Sequence, residues 1–202
     1  MNLYKLHSTP EELDLHDEAH EKVPHVIWDK YKDAPTELKK REAAIAKDAN
    51  YSYMYARDVL KRPFPAGEAA IAGNVGLSYW YSVNVLKGPF PAGEAEIAKK
   101  AEYAYSYAHL CLKSPFLAGE AAIIKSAYYS YMYAHYVLKG RFPAGEAEIA
   151  KDAKLSYVYA YYILKKPFPA GEAAIAKDSD LWRDYKTKIL KENSLQTHIA
   201  VV

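Results

Sequence analysis

The chain has 202 residues, half of them apolar, which suffices for a folded core of ordinary domain size. Its 27 Lys and Arg nearly balance 25 Asp and Glu, leaving a net charge of +2, and this argues against the basic footprint of a nucleic-acid or membrane-surface binder. A single cysteine, Cys111, excludes an internal disulfide framework and fits a reducing compartment. The opening residues, Met1-Asn2-Leu3-Tyr4-Lys5-Leu6-His7, lack the apolar run of a signal peptide. No stretch approaches the roughly 18 apolar residues of a membrane span, so a cytoplasmic address is expected.

Residues 1–36 stand outside the pattern that follows. Thr9-Pro10-Glu11-Glu12 has the order of a helix start: a capping Thr, Pro at the first helical position, and Glu three after the cap. Residues 13–22 are acidic and carry His16 and His20, Pro24 ends the stretch, and residues 25–32 suit a second short helix. This region is expected to be a degenerate unit that caps the array. Histidines four apart can share a metal. The order here, however, is His-Asp-Glu-Ala-His, not that of a zinc protease, so a solvated acidic helix and no metal are expected.

From residue 37 to residue 192 the chain repeats itself. Glu42, Glu68, Glu94, Glu120, Glu146 and Glu172 fall 26 residues apart, as do Ile45, Ile71, Ile97, Ile123, Ile149 and Ile175. A fixed period in this range means a solenoid or a related array. In most copies a Pro such as Pro65 opens a short helix. Nine residues later Asp48, Asn74, Ser126, Asp152 or Asp178 (Lys100 in the third copy) stands where a second helix is capped. The second helix runs through the Tyr-rich tract. It is expected to end at a left-handed Gly88 or Gly140, with the periodic Lys61, Lys87, Lys113, Lys139, Lys165 and Lys191 facing the dipole of its last turn. Ser52, Tyr55, Ala56 and Val59 form one helical stripe and Tyr53, Ala56 and Leu60 a second, as a unit stacked between two neighbours requires. In the last copy Arg183 and Lys186 replace the Tyr and Ala of one stripe, the mark of a terminal unit facing water. The fold expected is all-α: an α-solenoid of six 26-residue helix-turn-helix repeats in one structural domain. Residues 1–36 form its N-terminal cap, and residues 193–202 a C-terminal tail.

The tract from Tyr131 to Gly140, joined to that from Pro89 to Lys99 and taken with their copies, resembles a tandem repeat found in proteins of bacteriophages, large DNA viruses and some bacteria. The likeness covers residues 37–192 and extends to Leu3-Tyr4-Lys5-Leu6. It implies a helical array in a viral protein, and it carries over no catalytic or binding residue. Leu117 and Arg141 replace usual prolines, and Gly73-Asn74-Val75-Gly76 departs from the pattern in a way expected to loosen its turn.

Six equivalent glutamates along an array do not make one catalytic constellation. In the first turn of a helix a carboxylate is favoured by about 0.3–1 kcal/mol, and it can accept a hydrogen bond from a seam Tyr. Cys111 stands where other copies hold Val or Ile, so it reads as a small core residue. Phosphate-binding, nucleophile-elbow and zinc signatures are missing, and neither an enzyme nor a cofactor is expected. The informative places are those the repeat leaves free. On the longer helices they carry Trp80, Val83, His109, Leu110, Met132, His135, Tyr136, Tyr161 and Tyr162, where the first copy has Met54, Arg57 and Asp58. These residues are expected to form an outward ridge that binds a partner. The partner expected is a protein, such as a host defence or regulatory factor. The alternative is a small ligand such as a nucleotide, held among Tyr and His rings, and a second copy of the chain is a further candidate. Nucleic acid and membrane are not expected.

Overall fold

The computed structural model describes residues 41–43 and 45–191; among them every regular element is a helix and none is a strand. The expected cap, with His16, His20 and His25, and the expected tail lie outside the described residues. Two compact units are distinguished, one ending at Gly93 and the other beginning at Glu94. The first contains α1 (Ala49–Met54), α2 (Pro65–Ala72) and α3 (Val75–Tyr81). The second contains α4 (Glu94–Ile97), α5 (Ala101–Tyr107), α6 (Leu117–Ile123) and α7 (Ala127–Met132). It continues with α8 (Glu146–Ile149), α9 (Ala153–Val158), α10 (Pro169–Ile175) and α11 (Ser179–Tyr185). In both units the packing is tandem: the longer helix of one copy lies on the short helix of the next, α1 on α2, α5 on α6, α7 on α8 and α9 on α10.

The helix starts follow the residues. Asp48 accepts the Tyr51 N–H at 2.9 Å, Asn74 that of Leu77 at 3.0 Å, Asp152 that of Leu155 at 2.8 Å and Asp178 that of Leu181 at 3.0 Å. Each side chain satisfies one of the donors a helix start leaves open. Lys100 offers no such acceptor, and α5 begins without a side-chain cap. Pro65 and Pro169 are the first residues of α2 and α10, whereas Leu117 begins α6 without the ring, so its locked φ assists the start and is not required. The turn at Gly73 is not loosened. Gly73 N–H reaches the Ala70 carbonyl at 3.3 Å and Asn74 N–H that of Ile71 at 3.0 Å, because Asn74 caps α3 as Asp48 caps α1.

The longer helices depart from expectation in their second halves. They pass from α to π geometry over Tyr55–Leu60, Ser82–Leu86, Ala108–Leu112, Tyr133–Leu138, Tyr159–Leu164 and Lys186–Leu190. The wide turn then closes on a lysine. Lys61, Lys87, Lys113, Lys139 and Lys165 have φ of 50 to 53°, and no glycine among the described residues has positive φ. The expected left-handed Gly88 and Gly140 are therefore displaced by the lysine before them. The N–H groups of Lys87 and Gly88 both reach the Ser82 carbonyl, and those of Lys139 and Gly140 that of Ala134, which places the reversal one residue earlier. The lysines are thus capping residues rather than last-turn residues. The left-handed backbone costs a residue with a Cβ about 1–2 kcal/mol. Lys191, at φ −67°, does not adopt it.

Tyr53 and Tyr55 lie two apart and are both buried, at 7% and 1% exposure, so two faces of one helix are covered. Tyr55, Tyr81, Tyr107, Tyr133, Tyr159 and Tyr185 share the deepest positions with Ile71, Ile97, Ile123, Ile149 and Ile175. Short and longer helices touch at the glycine before each periodic Glu from Glu68 onward. A Cβ on Gly67 would lie 2.4 Å from Ser52 Oγ and 2.6 Å from the Phe64 ring. The buried Ser52 hydroxyl donates to the Ile45 carbonyl at 2.9 Å, so its burial leaves no unpaired group.

Candidate functional site

Each copy has a fixed floor. The Tyr55 hydroxyl donates to Glu42 at 3.0 Å, and Tyr81 to Glu68, Tyr107 to Glu94, Tyr133 to Glu120, Tyr159 to Glu146 and Tyr185 to Glu172 at 2.8 to 3.0 Å. The same oxygen accepts a buried backbone N–H: Tyr81 from Phe64, Tyr133 from Phe116 and Tyr159 from Phe142 at 2.8 Å, Tyr185 from Phe168 at 2.7 Å. Each Phe ring meets the tyrosine of the preceding copy edge to face, as Phe64 meets Tyr55 at 5.1 Å and Phe142 meets Tyr133 at 5.1 Å. Burial, above all, pushes the hydroxyls of Tyr159 and Tyr185 up to about 12, and the carboxylates of Glu146 and Glu172 add to the shift. The periodic glutamates are therefore half-buried acceptors that tie a short helix to its longer partner, which is a structural role.

Above this floor lie the joints between successive longer helices, where the copies differ. In the first unit, Asn84 Nδ2 donates to the Tyr53 hydroxyl of the preceding copy at 2.8 Å. Arg57 lies over the Tyr53 ring at 5.0 Å and makes a two-pronged pair with Asp58, both bonds at 2.6 Å. In the second unit the equivalent places from His109 to Tyr162 are rings, Leu110 excepted. His109 stacks on Tyr105 at 5.8 Å and 5°, and Tyr136 from the next copy meets His109 at 5.6 Å. His135 stacks on Tyr131 at 5.7 Å, meets Tyr136 at 4.5 Å and receives Tyr162 at 6.2 Å. Tyr161 stacks on Tyr157 at 6.1 Å and meets Tyr162 at 4.9 Å. Burial raises the Tyr105 and Tyr131 hydroxyls above the usual phenolic range, and the neighbouring Tyr136 hydroxyl adds to both shifts.

The ridge residues thus have a second task that sequence reasoning did not assign. Those of the π turns reach the neighbouring copy instead of standing clear of both stripes. A π turn holds one more residue per hydrogen bond than an α turn, so its side chains are aimed differently from those of a regular helix. Substantial surface nonetheless remains free: Leu110 is 51% exposed, Tyr136 45%, Tyr161 42% and Tyr162 53%. His109, His135 and Met132 are half-buried. In the first unit Trp80 is 46% exposed with its ring on Tyr79 at 5.0 Å, and Val83 is half-buried. The second unit brings His109, His135, Tyr136, Tyr161 and Tyr162 into one chain of ring contacts; Leu110 and Met132 lie outside that chain. Cys111 is half-buried rather than in the core.

A cleft of about 550 Å³ opens between two π turns of the second unit, lined by Ala108, His109, Lys113, His135, Tyr136, Val137 and Lys139. Its lysines were not among the residues singled out from the sequence. Their periodicity hides them, since the same Lys recurs where no such cleft is described. Among the described residues no group of three or more His, Cys, Asp or Glu is placed to hold a metal ion. Among them also, no helix is long and apolar enough to cross a membrane. Comparison with family models, curated proteins and solved structures returns no match.

Proposed function

We propose that the chain is a non-enzymatic binding protein: an α-solenoid of six 26-residue repeats, closed at its far end by the exposed Arg183 and Lys186, that docks a protein partner. The observation that carries this reading is the exposure of Leu110, Tyr136, Tyr161 and Tyr162 on the longer helices of the second unit. Nothing in the repeat requires apolar groups there, because the first unit uses Arg57, Asp58 and Asn84 at equivalent places. Exposed aromatic surface of this kind marks interaction sites, with Tyr and Trp as the usual anchors. The resemblance to viral and phage repeats makes a host protein the partner to seek.

The test is Leu110→Glu combined with Tyr162→Glu, two exposed residues outside the cleft. Helical circular dichroism and melting temperature should match the parent chain, while a partner cross-linked to the parent in its native cell should be lost from the variant. Retention of the same partner by a folded double variant counts against this surface. A second reading, sequestration of a small ligand, is favoured by one observation: the cleft places two lysines beside His109, His135 and Tyr136.

A further inference from the structure

The second reading leaves open which ligand the cleft takes, and the proposal here rests on that reading. None of the residues lining the cleft is acidic. Two helix C-termini border it, each carrying roughly half a negative charge. The ammonium groups of Lys113 and Lys139 carry a full positive charge each, so the lysines and helix ends together leave about one positive charge at the mouth. Both lysines are exposed, and among the described residues neither is paired with a carboxylate. The cleft therefore favours an anion. Its volume of about 550 Å³ is too large for a bare inorganic ion and falls within the range of roughly 300–1,000 Å³ typical of small-molecule sites.

Its walls specify the rest of the ligand. Tyr136 is flanked by His109 at 5.6 Å and His135 at 4.5 Å and stays 45% exposed, so ring surface is available to stack a flat group. Stacking on aromatic side chains is tolerant of base identity because every base has a π face. Among the described residues His135 Nδ1 is a buried nitrogen with no hydrogen-bond partner, a condition that native structures rarely leave unexplained. The joint of the first unit supplies an internal control. On the same backbone, Arg57 is paired with Asp58, and Asn84 is bonded to Tyr53. The repeat can therefore close its polar groups on themselves, and at the His109–Tyr136 joint it does not.

We infer that this cleft is a binding site for a nucleoside phosphate. Its base lies against the Tyr136 and His109 rings, and its phosphate lies between Lys113 and Lys139. The experiment is isothermal titration of the full chain with AMP, UMP, ATP, adenosine and inorganic phosphate at fixed ionic strength. AMP and UMP should bind, ATP more tightly, and adenosine and phosphate each at least 10-fold more weakly than AMP. Lys113→Gly with Lys139→Gly removes both charges while suiting the left-handed backbone, so folding is preserved; AMP affinity should fall at least 10-fold. His109→Val, which installs the residue the second copy carries at that place, should weaken AMP and leave inorganic phosphate unchanged. Lys61→Gly, in the first unit, should change neither. Equal binding of AMP and adenosine, or of AMP and phosphate, overturns the proposal. AMP binding untouched by the double lysine variant overturns the site while the ligand-binding reading stands. If no probe binds at millimolar concentration the proposal fails. Native mass spectrometry of protein isolated from its own cell then decides the broader reading, by showing whether any small molecule accompanies it.

Discussion

The joint of the first unit and that of the second are built on one backbone and filled with opposite chemistry. In both, a longer helix turns from α to π geometry and ends on a left-handed lysine, and a side chain of the next copy reaches back to a buried tyrosine. At Tyr53 the reaching group is Asn84, and an Arg57–Asp58 pair closes the surface. At Tyr105 the surroundings are His109 and Tyr136, and the surface stays open and aromatic. The difference separates two kinds of information in the repeat. The floor of Tyr, Glu, Phe and Gly is common and carries stability, whereas the joint varies and decides what the surface can recognise.

The comparison predicts equal damage to both units from the floor. Gly67→Ala in the first and Gly119→Ala in the second should each cost about 3 kcal/mol, the upper end of overpacking costs. A Cβ would lie 2.4 Å from Ser52 Oγ in one case and 2.6 Å from Ala104 Cβ in the other. Ala104→Gly should recover only part of the second loss in urea melts, because the Phe116 ring stands equally close at 2.6 Å and a glycine inside α5 itself costs about 1 kcal/mol. If only one unit suffers, the floor is not shared.

Tyr81→Phe and Tyr133→Phe come next, at about 2 kcal/mol each, because each leaves a buried Phe N–H unpaired. Tyr131→Phe, two places before Tyr133, should cost far less, since Tyr131 serves the joint and not the floor. The same hydroxyls predict alkaline unfolding. Tyr159 and Tyr185 are pushed up to about 12, against an ordinary phenolic value near 10. Above pH 10 the unfolded chain releases these protons while the folded chain keeps them. Stability is therefore full below about pH 10 and is lost as pH rises through the folded values. Thermal melts between pH 9 and 12 should show this, with a shallower fall in Tyr159→Phe. A flat profile would contradict the burial of the hydroxyls.

Smaller effects sharpen the contrast. Lys61→Gly and Lys139→Gly should each stabilise by somewhat under 1 kcal/mol, the relief of a left-handed residue less the chain entropy of glycine. Lys191→Gly, at φ −67°, should not stabilise. Smallest of all, exchanging joint residues, Tyr136→Asn and Asn84→Tyr, should change stability by no more than about 0.5 kcal/mol. Asn at 136 can serve Tyr105 as Asn84 serves Tyr53. A loss of several kcal/mol at Tyr136 would make the rings part of the core.

Much of the floor was legible from periodicity alone. The 26-residue beat marked the six glutamates, and Asp48, Asn74, Asp152 and Asp178 announced their helix starts because an N-cap depends only on neighbours along the chain. The partner of each Glu was expected to be a seam tyrosine, yet two tyrosine series run in step. Only packing separated Tyr133, which meets Glu120, from Tyr131, which meets the joint. The cleft lysines were hidden for the opposite reason: a residue present in every copy carries no contrast, so Lys113 and Lys139 looked like every other periodic lysine.

The sequence by itself determined that the described repeats are helical, where their helices begin, and which residues recur in the interior. Those properties follow from local bonding and from the spacing of apolar groups. Tertiary structure alone decided that the longer helices widen into π turns, that lysine and not glycine takes the left-handed cap, and that the ridge residues turn into the joints. A change from i+4 to i+5 bonding leaves no mark on the apolar pattern. It re-aims every side chain that follows, and contacts between copies select it.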